Sequence, residues 1–212
     1  TGIAYTQEEL DALAKLIKGK PIFAISDEIY SELIYDGGYA SMARALPEQT
    51  ILTNGLSKSY AMTGWRIGYL CAPEAITNEI FKVHSFVMTD VATFTQDAAE
   101  AALKGGTAAT KKMDEKYIQR RDYMKKRLAA MGFDCSRPMG AFYIFAKIPD
   151  FLEQDDTKLV YDLVKNARVA VTAGSYFGKG GNGYLRFSYA TSMDQIKEGM
   201  DRLEQYVNQA RQ

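Results

Sequence analysis

Apolar positions recur along this chain with two different periods, and the changes of period mark out its elements. Leu10, Leu13, Leu16 and Ile17 follow helical spacing. Thr6-Gln7-Glu8-Glu9 before them has the form of a capping box, and Gly19 offers a stop. Residues 21–26 are short, apolar and β-branched, which predicts a buried strand. A second strand is expected at 51–53, within the apolar stretch 50–56, and a third over 66–71. Residues 73–131 read as mostly helical, heavily charged over 119–127, and Gly132 ends the run. Beyond it the pattern predicts strands at 133–136, 141–148, 169–172 and 184–189. Helices are predicted at 157–167 and 192–209, the second opened by a Ser192-x-x-Gln195 box.

The first half thus has the rhythm of an α/β sheet with helices on its faces, and the second half that of a smaller α+β unit. In open α/β sheets ligands gather beyond the carboxyl ends of parallel strands. Asp27 and Lys58 both fall there, on different strands. No repeat or low-complexity segment interrupts the pattern.

Composition narrows the field of functions. The 26 Lys and Arg residues balance 26 Asp and Glu with no basic block, which argues against a nucleic-acid surface and a polybasic membrane patch. No apolar run approaches a membrane span and no signal peptide is evident, although the chain does not begin with Met and a start further upstream is allowed for. Cys71 and Cys135 lie far apart, with no Cys-x-x-Cys pair, and are expected to be reduced, buried small hydrophobes of a cytoplasmic protein. No metal site is expected, and the single histidine, His84, falls in a predicted helix and is given no role.

The chemistry concentrates after the second strand, in Gly55-Leu56-Ser57-Lys58 and Gly64-Trp65-Arg66-Ile67-Gly68. A lysine at a strand end, preceded by a serine and followed by an arginine eight positions on, suits a phosphate-bearing aldehyde held covalently. The lysine amine condenses with the aldehyde, while Ser57 and Arg66 offer a hydroxyl and a guanidinium fork to the phosphate. An isolated Ser-Lys would ordinarily be a solvated surface pair; the whole string is what carries the reading. It resembles the lysine signature of class I/II aminotransferases, the fold-type I group that depends on pyridoxal phosphate (PLP).

That resemblance extends along the chain and implies further roles. Asp27-Glu28-Ile29-Tyr30 is similar to the family's Asp-Glu-x-Tyr. It implies that Asp27 holds the protonated pyridine nitrogen and that Tyr30 bonds the cofactor's phenolic oxygen. Alone, Asp27 would read as a helix N-cap and Tyr30 as one of fourteen tyrosines. Arg186, in Tyr184-Leu185-Arg186-Phe187-Ser188, matches the arginine that grips the substrate α-carboxylate, for which a planar fork is suited. A protein carboxylate is the alternative partner for an arginine in an apolar strand. The segments 174–177 and 140–143 resemble two loops shaping the small domain's face of the site, and are not placed among the catalytic residues.

The resemblance is closest to bacterial aspartate and aromatic aminotransferases. It implies an α/β fold in which residues 1–105 complete the large PLP-binding domain, a mostly parallel sheet with helices. Residues 106–212 are then a long linking helix and the small α+β C-terminal domain. It covers only the second half of the family's usual chain, since Thr1-Gly2 corresponds to the end of an Asn-Pro-Thr-Gly motif. The chain is therefore expected to be a fragment, inactive by itself, of a homodimeric enzyme. The implied activity moves an amino group from an L-amino acid, aspartate or an aromatic one, to 2-oxoglutarate. A PLP-dependent carbon–sulfur β-lyase, the effector-binding domain of a PLP-dependent transcription regulator, and an inert fragment remain open alternatives.

Overall fold

The structure, a computed structural model, describes residues 1–211. It separates into two compact units, one of residues 4–113 and one of residues 1–3 with 114–212.

In the first unit, helix α1 (Gln7–Ile17) starts as its sequence demands. Thr6 Oγ1 accepts from Glu9 N while the Glu9 carboxylate accepts from Thr6 N, so both halves of the capping box form. Strand β1 (Ala24–Asp27) follows, then the short α2 (Met42–Ala45), β2 (Thr50–Gly55), β3 (Gly68–Cys71), α3 (Glu74–Val87) and α4 (Thr93–Gly105). The sheet order is β1-β2-β3. β1 and β2 run parallel with Asp27 opposite Thr53, whereas β3 is antiparallel to β2. The three strands thus form a mixed sheet: the link 56–67 from β2 to β3 is made of turns and one 3-10 turn, with no crossover helix, and the chain returns antiparallel.

Ala14, Met42 and Leu46 bury one face of the β1 end, with Leu10, Ile17 and Ala24 packed against them. The opposite face is open, so β1 is not buried on both sides as its composition suggested: Ile25 is 74% exposed. All four residues of β3 are exposed as well, and Cys71 with them. That corrects the expectation of two buried cysteines; Cys135 is half-buried, and both are free thiols.

The second unit is built on α5 (Thr107–Ala130), which enters it at Asp114, and on β4 (Asp134–Cys135), β5 (Tyr143–Lys147), α6 (Asp156–Asp162), β6 (Thr172–Ala173), β7 (Tyr184–Ser188) and α7 (Met193–Ala210). The four strands pair antiparallel in the order β4-β5-β7-β6. Strand alternation decides what each face carries. Ile144, Ala146, Leu185 and Phe187 are buried on one face, in register as Ile144 opposite Phe187 and Ala146 opposite Leu185. Ile196, Met200, Leu203 and Val207 form the buried stripe of α7, each side chain stabilising by about 1.5–3 kcal/mol. Tyr143, Phe145, Tyr184 and Arg186 therefore belong to the opposite face.

Two sequence expectations shift here. The predicted helix 157–167 continues past α6 as a π turn, Leu163–Ala167, closed by Arg168 at φ 55. Val169 is spent on that closure, donating to Leu163 O at 3.2 Å, so the strand begins at Thr172 instead of residue 169. The Ser192 box is half formed. Ser192 Oγ accepts from Gln195 N, but the Gln195 side chain is engaged by the Thr191 hydroxyl.

Candidate active site

Five of the sequence-derived residues lie at one end of the β1-β2-β3 sheet. Asp27 is the last residue of β1, and Ser57 and Lys58 follow the last residues of its parallel neighbour β2. Because β3 is antiparallel, its first residue, Gly68, sits opposite Gly55 and brings Arg66 to the same end. Tyr30 lies in the turns after β1, its carbonyl accepting from Leu33 N at 2.9 Å.

The lysine turn is held from below. Tyr60 N and Met62 N both donate to Leu56 O at 3.2 Å, and Ala61 N donates to Lys58 O at 3.3 Å. Leu56 and Met62 are buried against Ala99, with Tyr60 and Ile67 packed around them. Ala61 and Arg66 both take φ 54, the left-handed region that costs a non-glycine residue of order 1–3 kcal/mol. Such strain at two positions after Lys58 persists because the packing beneath over-determines the turn. Gly55 and Gly68 let β2 and β3 close here: a Cβ on Gly55 would lie 2.9 Å from Ile67 O. Lys58 and Ser57 are half-buried, and Arg66 and Asp27 are exposed. The Arg66 Nη1 donates to Thr63 O at 2.8 Å, which turns its fork back over the turn. Ser59 Oγ, next to Lys58, is buried with no hydrogen-bond partner among the described residues.

Asp27 Oδ1 accepts from Ile29 N at 3.2 Å, the local turn that an N-cap aspartate would also make, but no helix follows it. Its neighbour Glu28, to which no pattern assigned a role, is the anchor. Glu28 is 8% exposed and accepts from the hydroxyls of Ser26 at 2.9 Å, Ser41 at 2.8 Å and Tyr39. Successive strand side chains point to opposite faces, so locking Glu28 inward fixes Asp27 the other way. Burial, then the bond to Glu28, pushes the Tyr39 hydroxyl up to about 12.

Arg186 lies in the other unit, in β7 between Phe145 of β5 and Thr172 of β6. Its guanidinium carbon is 4.3 Å from the Tyr143 ring centroid and 4.2 Å from that of Phe177. The flat cation is thus held between two rings, and among the described residues it makes no ion pair with a carboxylate. Tyr143 and Phe177 come from the two loop segments left without a role in the sequence. The signal was present, a Gly-Ala-Phe-Tyr and a Gly-Ser-x-Phe, but nothing in either string says which aromatic reaches the arginine.

The sequence model described as aminotransferase class I and II matches residues 1–203. A probable N-acetyl-LL-diaminopimelate aminotransferase of Bacillus subtilis is 46% identical across the whole chain, which covers 54% of that protein. Aromatic-amino-acid aminotransferase 2 of Thermococcus litoralis is 37% identical over 99% of the chain and 55% of its own length. The crystal structure of an aromatic aminotransferase from Pyrococcus horikoshii superposes with a TM-score of 0.94 at 40% identity, covering all of this chain and 58% of that one. A Thermus thermophilus aspartate aminotransferase variant gives 0.90 at 35% identity over 97% and 53%. The chain spans about half the length of the curated relatives it matches. Its α/β fold is that of the fold-type I aminotransferases, and the chain belongs to the class I and II aminotransferase family.

Proposed function

We propose that this chain carries the lysine-bearing part of a PLP-dependent aminotransferase. The enzyme moves an amino group from an L-amino acid, aspartate or an aromatic one, to 2-oxoglutarate. In it residues 1–105 belong to the PLP-binding domain and 106–212 to the linking helix and small domain. The observation that carries the reading is the donor set at one sheet end: an amine, a hydroxyl, a guanidinium, a carboxylate and a phenol, on Lys58, Ser57, Arg66, Asp27 and Tyr30. The set fits PLP group by group, with amine for aldehyde, hydroxyl and fork for phosphate, carboxylate for ring nitrogen and phenol for the phenolic oxygen.

When bound, PLP supplies an electron sink for the charge left on the substrate α-carbon. The chain's own residues do the rest. Arg186 pairs with the substrate α-carboxylate and orients it. Lys58 Nζ takes the α-proton, general base work typically worth about 10²–10⁴-fold. Asp27 keeps a positive charge on the ring nitrogen, and Ser57 and Arg66 hold the phosphate. The same residues would serve a β-lyase; the family membership favours transfer. The 46% identity to the N-acetyl-LL-diaminopimelate enzyme favours a second donor, an acylated diamino diacid. A homodimer is part of the proposal, supported by apolar residues left in water on α3, where Phe86 is 92% exposed.

The test loads the protein with PLP, treats it with borohydride and maps the modified peptide. Label on Lys58 is expected, and label on another lysine refutes the assignment. Turnover is then assayed with aspartate, phenylalanine and N-acetyl-LL-diaminopimelate against 2-oxoglutarate. It is measured with the 212-residue chain alone and with the N-terminal half of a related enzyme added. Turnover is expected only in the second case.

A further inference from the structure

Asp156 occupies the first turn of α6, where aspartates are usual and normally solvated. Here the capping is already done by its neighbour. Asp155 accepts from Thr157 N and Lys158 N, both at 3.1 Å. Asp156 instead turns inward and is only 5% exposed. A buried carboxylate is costly unless its oxygens are satisfied. Asp156 Oδ2 accepts from Ser175 N at 2.7 Å, and Oδ1 accepts from Ser175 Oγ at 2.8 Å and from Thr157 Oγ1 at 3.4 Å. One carboxylate thus clamps one residue through both its backbone and its side chain.

Ser175 belongs to the 3-10 turn Gly174–Phe177. The start of that turn is pressed against the 3-10 turn Lys179–Gly181 and the first residue of β7: a Cβ on Gly174 would lie 2.2 Å from Gly181 O and 2.7 Å from Tyr184 O. Its end is Phe177, whose ring covers Arg186 at 4.2 Å and packs edge-on against Phe145 at 6.1 Å. A single residue, Tyr176, separates the clamped Ser175 from the aromatic that faces the guanidinium. Charge-assisted bonds to a buried carboxylate are stiff, and a stiff turn fixes where its last side chain lies.

We propose that Asp156 is a positioning residue for carboxylate binding: by clamping Ser175 it seats Phe177 on Arg186 and so fixes the plane of the guanidinium fork. The proposal rests on the reading of Arg186 as the carboxylate-binding group. It adds a residue 30 positions away that touches neither substrate nor cofactor.

The test uses succinate, a dicarboxylate with no amino group to transfer, titrated into the 212-residue chain. Affinity is read by calorimetry and the Arg186 Nε–Hε resonance by NMR, so no turnover is needed. Arg186→Ala is expected to abolish binding. Asp156→Ala and Ser175→Ala are expected to weaken it about tenfold, the scale of a misplaced rather than a missing group, and to broaden the Arg186 resonance. Asp156→Asn, which can still accept from Ser175 N, is expected to restore most of the affinity. If Asp156→Ala folds and binds succinate like the parent, the positioning role is refuted while Arg186 keeps its own. Should Asp156→Ala not fold, Ser175→Ala decides, and parental affinity in that variant refutes the proposal. If the parent fails to bind, or Arg186→Ala binds as well as the parent, the reading of Arg186 falls and this one with it.

Discussion

At the scale of residues, charge alone does not describe Arg186. Its guanidinium lies between two rings, so Arg186→Lys keeps the charge but loses the flat surface that stacks and the fork that binds two oxygens. In the PLP-loaded enzyme Arg186→Lys is expected to lower kcat/KM for amino acid and oxo acid alike, leaving cofactor affinity unchanged. The loss is set by a desolvated charge pair, roughly 2–5 kcal/mol for full truncation to Ala and less for Lys. Steady-state kinetics with both substrates and a PLP titration check this. If Asp27 holds the ring nitrogen as proposed, Asp27→Asn is expected to lose far more single-turnover rate than Asp27→Glu, because only a carboxylate would keep that nitrogen charged. A third residue-scale expectation concerns alkali. The hydroxyls of Tyr39 and Tyr206 are each raised to about 12 from an ordinary 10.0, chiefly by burial and then by bonds to Glu28 and Asp162. The folded state therefore holds its protons longer than the unfolded chain does. That stability is complete below about pH 10 and is lost as pH rises towards 12. Urea unfolding across this window is expected to show a fall in the parent that flattens in the double variant Tyr39→Phe, Tyr206→Phe.

At the scale of elements, the turn that carries Phe177 depends on a glycine with no room for a side chain. Gly174→Ala would place a methyl against two carbonyl oxygens, and overpacking of this kind costs about 1–3 kcal/mol. Thermal unfolding of the variant checks the figure, with retained parental stability the contrary result. Elements of this sort show how far sequence patterns reach. The capping box at Thr6 and the stripe on α7 were legible because both are local periodicities written in adjacent residues. The family was legible in the string around Lys58 because so long a run of small and charged residues is rarely produced by packing alone. β1 was misjudged as buried on both faces, since Ile22, Phe23 and Ile25 report an apolar environment without saying whether a neighbour supplies it. Glu28 and Asp156 escaped notice for a related reason. Their partners Ser41 and Ser175 lie 13 and 19 residues away, beyond any local pattern.

At the scale of the whole molecule, the open face and free edge of β1 dominate behaviour in solution. Ile25 of β1 is 74% exposed, Phe86 and Val87 at the end of α3 are 92 and 72% exposed, and an apolar edge strand is a template for pairing. The 212-residue chain is expected to self-associate in sedimentation experiments, and Ile25→Lys to shift it towards monomer. Unchanged association in that variant would place the contact elsewhere. The two cysteines provide an independent way to follow each unit. Cys71 stands exposed on β3, in the unit of residues 4–113. Cys135, in the unit of residues 114–212, is half-buried, and burial pushes its thiol up to about 11. Thiolate is the species that alkylates, so at neutral pH a maleimide probe has one ready target and one reluctant one. The molecule therefore carries its own address label: a dye placed at neutral pH reports on the lysine-bearing sheet alone, and a second, added after mild unfolding, reports on the unit of Arg186.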